Sequence, residues 1–227
     1  MIKPTLFLDF DGTITVRDAT DAILEAYAEP EWLQIEEDWK AGRIGSRQCL
    51  AAQMALVTAT RHEIDWLLDG IDIDEGFITL IDLCSTQRVP VHIVSDGFDY
   101  CIQRILNRPS LHHRACLNGM QTISSHLEPS GRRWRASFPS MAQGCEHGCA
   151  TCKPAAMVRL MEPPGPTIFV GDGLSDRYAA ACADLVFAKN DLAAYCDEHA
   201  IAYRRFDSLA LVARTISDLM ERRFQFI

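Results

Sequence analysis

The sequence predicts an α/β fold, a parallel sheet wound by crossover helices and carrying a small helical insert. Three observations predict it. Four short apolar runs each end in a polar or acidic turn, as buried strands of such a sheet do. Helical periodicity fills the segments between them, and alternation of strand and helix favours parallel pairing. Residues 18–73 break the alternation and hold no convincing strand.

The first run, Leu6 to Leu8, stops at Asp9, Asp11 and Gly12. In the insert, Trp32, Ile35 and Trp39 share one helical face, as do Leu50, Met54 and Val57. Thr60 and Glu63 form a capping-box pattern ahead of Ile64, Leu67 and Leu68. Phe77–Gln87 reads as the helix before the second strand, Val91–Val94, which leads into Ser95-Asp96-Gly97. Asp99–Leu106 reads as the helix after it, and Arg114–Phe138, with a turn at Pro129–Gly131, as a hairpin excursion. Glu162–Pro166 is a stiff connector into the third strand, Thr167–Val170, which ends at Gly171-Asp172-Gly173. A helix over Asp176–Ala183 and a fourth strand, Asp184–Phe187, ending at Ala188-Lys189-Asn190, come next. Leu209, Val212, Ile216 and Leu219 repeat at helical spacing behind a cap expected at Asp207.

Bulk properties narrow the function. A chain of 227 residues makes one large or two small domains, and 48% apolar residues supply a sizeable core. The net charge of −9 excludes a broad nucleic-acid surface, and no apolar stretch approaches the length of a membrane span. The amino-terminal residues lack a secretory pattern, so the expected location is the cytoplasm. Nine cysteines are then expected as reduced thiols or metal ligands.

The strand ends gather the chemistry. Ligands of open α/β sheets bind outside the carboxyl ends of the strands, which there present Asp9, Asp11, Ser95, Asp172 and Asp176, with Lys153 on a separate helix start. Clustered carboxylates suit Mg²⁺. One carboxylate can attack phosphorus, and a second can protonate the leaving oxygen and then deprotonate water. A hydroxyl and an ammonium can hold the phosphoryl oxygens as charge builds. Singly, each has a plainer explanation: solvated aspartates, a helix cap at Ser95 or Asp176, a surface charge at Lys153.

Four motifs in this order resemble those of the haloacid dehalogenase superfamily of phosphohydrolases: Asp9-Phe10-Asp11-Gly12-Thr13, Val94-Ser95-Asp96-Gly97, Lys153 ahead of Pro154, and Gly171-Asp172-Gly173-Leu174-Ser175-Asp176. The resemblance implies a Rossmann-like core from 1–17 and 74–227, with 18–73 as a helical cap domain. It implies Asp9 as nucleophile, Asp11 as general acid/base, and Mg²⁺ held by Asp9, the Asp11 carbonyl and Asp172, with Asp176 in support. Ser95, Asp96, Gly97 and Lys153 would bind substrate, joined from the cap by Asp18 and Gln53.

The cap type resembles that of phosphoserine phosphatases, with two departures. Asp18 stands where that family has glutamate, and Gln53 where it has an arginine. Glutamine cannot pair a carboxylate as a guanidinium does, which disfavours a free amino-acid substrate. The chain is similar also to the methionine-salvage phosphatases that act on 2-hydroxy-3-keto-5-methylthiopentenyl-1-phosphate. That likeness lies in Asp9–Thr15 with Asp18, Glu29-Pro30-Glu31-Trp32, Asp74-Glu75-Gly76-Phe77 and Cys145…Cys152-Lys153-Pro154, with Asp96 replacing an expected glycine. A thioether tail would suit an apolar face of Trp32, Leu50 and Met54, which can equally be plain helix packing. The implied partner is a small phosphorylated metabolite, the protein a monomer or homodimer. Alternatives are phosphoserine, an amine-bearing ester or pyridoxal phosphate as substrate, and a non-catalytic phosphate-ester binder on the same fold.

Cys145, His147, Cys149 and Cys152 lie within eight residues. They read either as a structural zinc site, with Cys116 an alternative ligand, or as a reduced loop that packs locally. Arg132, Arg133 and Arg135 around Trp134 read as a solvated hairpin face rather than a nucleic-acid patch. His112-His113 reads as a surface turn, and Cys84, Cys101, Cys182 and Cys196 as small core residues.

Overall fold

The structure, a computed structural model, describes residues 3–111, 117 and 119–224. His112, His113 and Cys116 lie outside the described residues. A sheet in the order β4-β3-β2-β1-β5-β6-β7 forms the spine. Its strands are β1 (Thr5–Leu8), β2 (Val91–Phe98), β3 (Gln121–Ser130), β4 (Arg133–Ser137), β5 (Thr167–Gly171), β6 (Leu185–Ala188) and β7 (Arg204–Arg205). All neighbours pair in parallel except β3 and β4. Leu6, Phe7 and Leu8 are wholly buried, each contributing about 1.5–3 kcal/mol by leaving water. Strand order reverses at β1, which sits between β2 and β5, and such a switch point opens a crevice at the strand ends.

The insert between β1 and β2 holds four helices: α1 (Ala19–Tyr27), α2 (Trp32–Lys40), α3 (Ser46–Leu56) and α4 (Arg61–Asp69). The two necks of this insert are stitched together. Thr15 bridges Ile73, Val16 N–H donates to Asp72 O, and Asp74 N–H donates to Ile14 O, both at 2.9 Å. Helices α5 (Phe77–Gln87) and α6 (Asp99–Leu106) flank β2, α7 (Lys153–Leu160) and α8 (Arg177–Ala180) flank β5, and α9 (Asn190–Glu198) and α10 (Leu209–Phe224) close the order. No described helix is long and apolar enough to cross a membrane.

Several expectations need correction. Strand β2 runs on through Ser95-Asp96-Gly97 to Phe98, with a register shift between Val94 and Phe98 that absorbs the turn. The hairpin β3–β4 is no excursion: β3 joins the sheet parallel to β2, and Pro129 lies within it opposite Trp134. The helix expected over Asp176–Ala183 becomes a 3₁₀ turn at Leu174–Asp176 and a single turn of α8. The Leu209 N–H that opens α10 donates to Asp74 Oδ1 at 3.1 Å, so the cap expected at Asp207 comes from the insert's neck instead. Cys84, Cys101 and Cys196 are buried, but Cys182 is exposed, because the shortened α8 ends before it. Trp134 is buried and donates to Ala59 O at 3.0 Å, while Arg132 and Arg135 face Glu63 and Glu128.

Candidate active site

Most of the site residues owe their place to a strand end, and Lys153 to a helix start. Asp9 follows β1, its N–H held by Val170 O at 2.9 Å, which fixes the carboxylate over the β1–β5 crevice. Lys153, the first residue of α7, is 1% exposed and donates to Asp9 Oδ1 at 2.8 Å, to Ser175 Oγ at 3.3 Å and to Asp176 Oδ1. Burial alone would pull its ammonium down, but Asp176, Asp9 and Asp96 outweigh that and keep it charged. The plain surface-charge reading of Lys153 therefore fails.

Asp11 turns back toward the insert, where its Oδ1 accepts the N–H of Ala19 at 2.9 Å. Burial first, and then Asp9 and Asp172, raise it to about 7 against that hydrogen bond. A carboxyl in this range can give and take a proton near neutrality. Asp172, after β5, accepts from Thr13 Oγ1 at 2.7 Å and from Asn190 Nδ2 at 3.4 Å, and burial beside Asp9 raises it to about 6. Asp176 is fully buried, and its second oxygen accepts from Asp172 N–H and Gly173 N–H at 3.0 and 3.2 Å. Both its oxygens are thus engaged inside the protein, which makes it a brace for Lys153 and the β5 turn.

Ligand oxygens of Asp9, Asp172 and Asp176 all lie within 4.8 Å of one another. Carboxylates crowded in this way call for positive charge, and an all-oxygen donor set fits a hard divalent cation. Among the described residues this is the one such grouping. No three of Cys145, His147, Cys149 and Cys152 bring their ligand atoms together, and the His147 ring instead stacks on Tyr178 with centroids 4.1 Å apart. The zinc reading is not supported.

A cavity of about 300 Å³ opens above these groups, lined by Asp9, Asp11, Ser95, Asp96, Gly97 and Asp172 and, from the insert, by Asp18 and Gln53. Ser95 Oγ accepts Gly97 N–H at 3.0 Å. Asp18 caps α1 by accepting Asp21 N–H at 2.9 Å; burial, then Asp11 and Asp21, push it well above the usual carboxylate range. Gln53 is 1% exposed and spends its amide on Glu36 Oε2 at 2.9 Å. The apolar wall differs from the expected stripe. Met54 is buried in the core and Trp32 packs against it, while Trp39, Cys49 and Leu50 line the cavity. Sequence reasoning missed Asp21, Glu36 and Ser46, whose helices carry no motif. It missed Asn190 as well, although the end of β6 pointed to it.

Comparison with known proteins agrees with this geometry. The haloacid dehalogenase-like hydrolase profile matches residues 6–181. A 2-hydroxy-3-keto-5-methylthiopentenyl-1-phosphate phosphatase of Geobacillus thermodenitrificans (strain NG80-2) is 32% identical over 196 residues, covering 85% of this chain and 86% of its own. Its namesake from Geobacillus kaustophilus (strain HTA426) is 30% identical over 204 residues, covering 88% and 90%. Among solved structures, a phospho-aspartyl intermediate analogue of phosphoserine phosphatase superposes with a TM-score of 0.67 at 18% identity, covering 95% of this chain and 99% of its own. That last likeness speaks for the fold alone. On the profile match and the two relatives, the chain belongs to the haloacid dehalogenase-like hydrolases, as a phosphatase of that family.

Proposed function

We propose that this phosphatase is a Mg²⁺-dependent cytoplasmic enzyme that works through an aspartyl-phosphate on Asp9, and that its substrate is 2-hydroxy-3-keto-5-methylthiopentenyl-1-phosphate. The carrying observation is the buried Lys153 ammonium 2.8 Å from Asp9 with the Asp172 carboxylate close by. It gives a nucleophile, a fixed cation and a metal-binding edge at one strand end. The Asp9 carboxylate, the Asp11 main-chain carbonyl and Asp172 would hold Mg²⁺, which supplies the positive charge that lets an anionic ester approach a carboxylate. Asp9 attacks phosphorus, and the bond to the leaving oxygen breaks as Asp11 hands that oxygen a proton. Asp11 then takes a proton from water, which attacks phosphorus and frees Asp9 and inorganic phosphate. Lys153 and Ser95 stabilise the phosphoryl oxygens throughout.

The substrate assignment rests on the names of the relatives and on the apolar wall of Trp39, Cys49 and Leu50, which suits a thioether tail. Gln53 offers no cation for an amino-acid carboxylate. A second reading, an amine-bearing ester, draws on Asp18, Asp21 and Glu36 in the same cavity.

Ranking a panel of phosphate esters by kcat/KM with Mg²⁺ present decides between them: the enol phosphate should lead, and a lead for phosphoserine or a phosphorylated amine overturns the substrate. Asp9→Asn should lower kcat by at least about 1000-fold while thermal unfolding stays cooperative. An Asp9→Asn enzyme with near-normal turnover would remove Asp9 as nucleophile.

A further inference from the structure

Asp96, expected from the sequence to bind substrate, is a charged side chain of the cavity wall whose two carboxylate oxygens are both engaged within the protein. It is 9% exposed, and each carboxylate oxygen is committed to a different part of the chain. Oδ2 accepts from Ser46 Oγ at 2.6 Å, at the first residue of α3 in the insert. Oδ1 accepts from Thr151 N–H at 3.1 Å, two residues before Lys153. Ser46 Oγ in turn accepts Ala150 N–H at 2.9 Å, closing a ring of three elements. Beside that ring the same two segments meet backbone to backbone. Arg47 N–H donates to Gly148 O at 3.0 Å, and a Cβ on Gly45 would sit 2.8 Å from Gly148 Cα. A hydrogen bond to a charged acceptor is worth roughly twice a neutral one, so a buried carboxylate is an effective tie here.

We infer that Asp96 is a positioning residue that fastens the insert to the loop carrying Lys153, so that the leaving-group wall and the phosphate-binding lysine are set as one unit. Through Ser46 it holds α3, whose Cys49, Leu50 and Gln53 line the leaving-group side. Through Thr151 it holds the loop that delivers Lys153 to Asp9. The inference rests on the reading of Lys153 as a phosphate ligand. Positional error of about 1 Å in such a group costs on the order of 100-fold in rate.

The test is a double-mutant cycle on Ser46→Ala and Asp96→Asn, with Asp96→Ala alongside, read as kcat and KM on the best ester of the panel. Ser46→Ala should lower kcat/KM about 10-fold and Asp96→Ala about 100-fold, both chiefly in kcat. Asp96→Asn keeps an acceptor for Thr151 N–H and should fall between them. Because one tie is being cut, Ser46→Ala combined with Asp96→Asn should be no worse than the weaker single variant. Amide exchange at Ala150 should quicken in Ser46→Ala while α10 amides stay as in wild type, which a general loss of stability would not produce. If Asp96→Ala fails to fold, the cycle of Ser46→Ala and Asp96→Asn still decides. Losses that multiply in the double variant, or an Asp96→Asn enzyme and a Ser46→Ala enzyme both within twofold of wild type, overturn the inference. A wild-type enzyme that hydrolyses no ester defeats the reading of Lys153 instead.

Discussion

At the scale of single residues, the site depends on what is missing from two glycines. A Cβ on Gly97 would overlap Asp11 Oδ2 and lie 3.2 Å from Ser95 Oγ. Gly12 has φ +72°, and a Cβ there would overlap Asp172 Oδ2, so any side chain is both strained and in collision. Gly97→Ala should therefore displace the Asp11 carboxyl, the proposed acid/base, and lower kcat by about 100-fold, at a stability cost of about 1–3 kcal/mol for overpacking. Steady-state kinetics beside thermal unfolding check this, and a kcat near wild type would show that Asp11 yields without consequence. Asp9, Asp11, Ser95 and Asp172 were legible because each follows an apolar run that could only be a buried strand. Lys153 was legible in position but not in environment, since nothing in Cys152-Lys153-Pro154 signals that two carboxylates bury it. Ser46 and Glu36 were illegible, because a side chain that reaches across from an inserted helix leaves no periodic trace.

At the scale of elements, local rules succeeded where the partner is local and failed where it is distant. The Thr60–Glu63 capping box forms as read, with Glu63 N–H donating to Thr60 Oγ1 at 3.2 Å and Thr60 N–H donating to Glu63 Oε2 at 2.6 Å. Thr60→Ala should cost about 1 kcal/mol in urea unfolding and leave kcat unchanged, since α4 contributes no residue to the cavity. An equal loss in kcat would mean that α4 transmits order to the site. The cap of α10 failed as a local reading because Asp74, 135 residues away, supplies it. The helix after Gly173 failed for a related reason: Asp176 turns its side chain back onto Asp172 N–H and Gly173 N–H, which favours a tight turn over a regular first helical turn. The β3–β4 pair was legible as a hairpin from its turn, but its parallel docking on β2 is a long-range contact that alternation cannot encode.

At the scale of the whole molecule, the sheet carries a titratable group that has no part in the chemistry, and it contributes to how the fold answers acid. His92 lies on β2 between Phe7 and Gln121 in register, 7% exposed, with its ring 5.8 Å from that of Phe7. Its Nδ1 has no hydrogen-bond partner among the described residues. Burial lowers its pKa from 6.5, opposed by the nearby Glu162 carboxylate. The folded imidazole therefore resists a proton that the unfolded chain accepts at about pH 6.5. Between the lowered folded value and 6.5 the unfolded state holds more protons, so this group makes stability rise with pH there and fall on acidification through that window. The crowded active-site carboxylates titrate nearby with the opposite sign, so the His92 contribution must be read as a difference. Urea unfolding of wild type and His92→Phe from pH 8 to pH 5 should give a stability difference that is constant above about pH 7.5 and shifts steadily in favour of the variant below 6.5. Parallel curves across the whole range would mean that the sheet accommodates a charged His92, and that this group adds nothing to the response of the fold to acid.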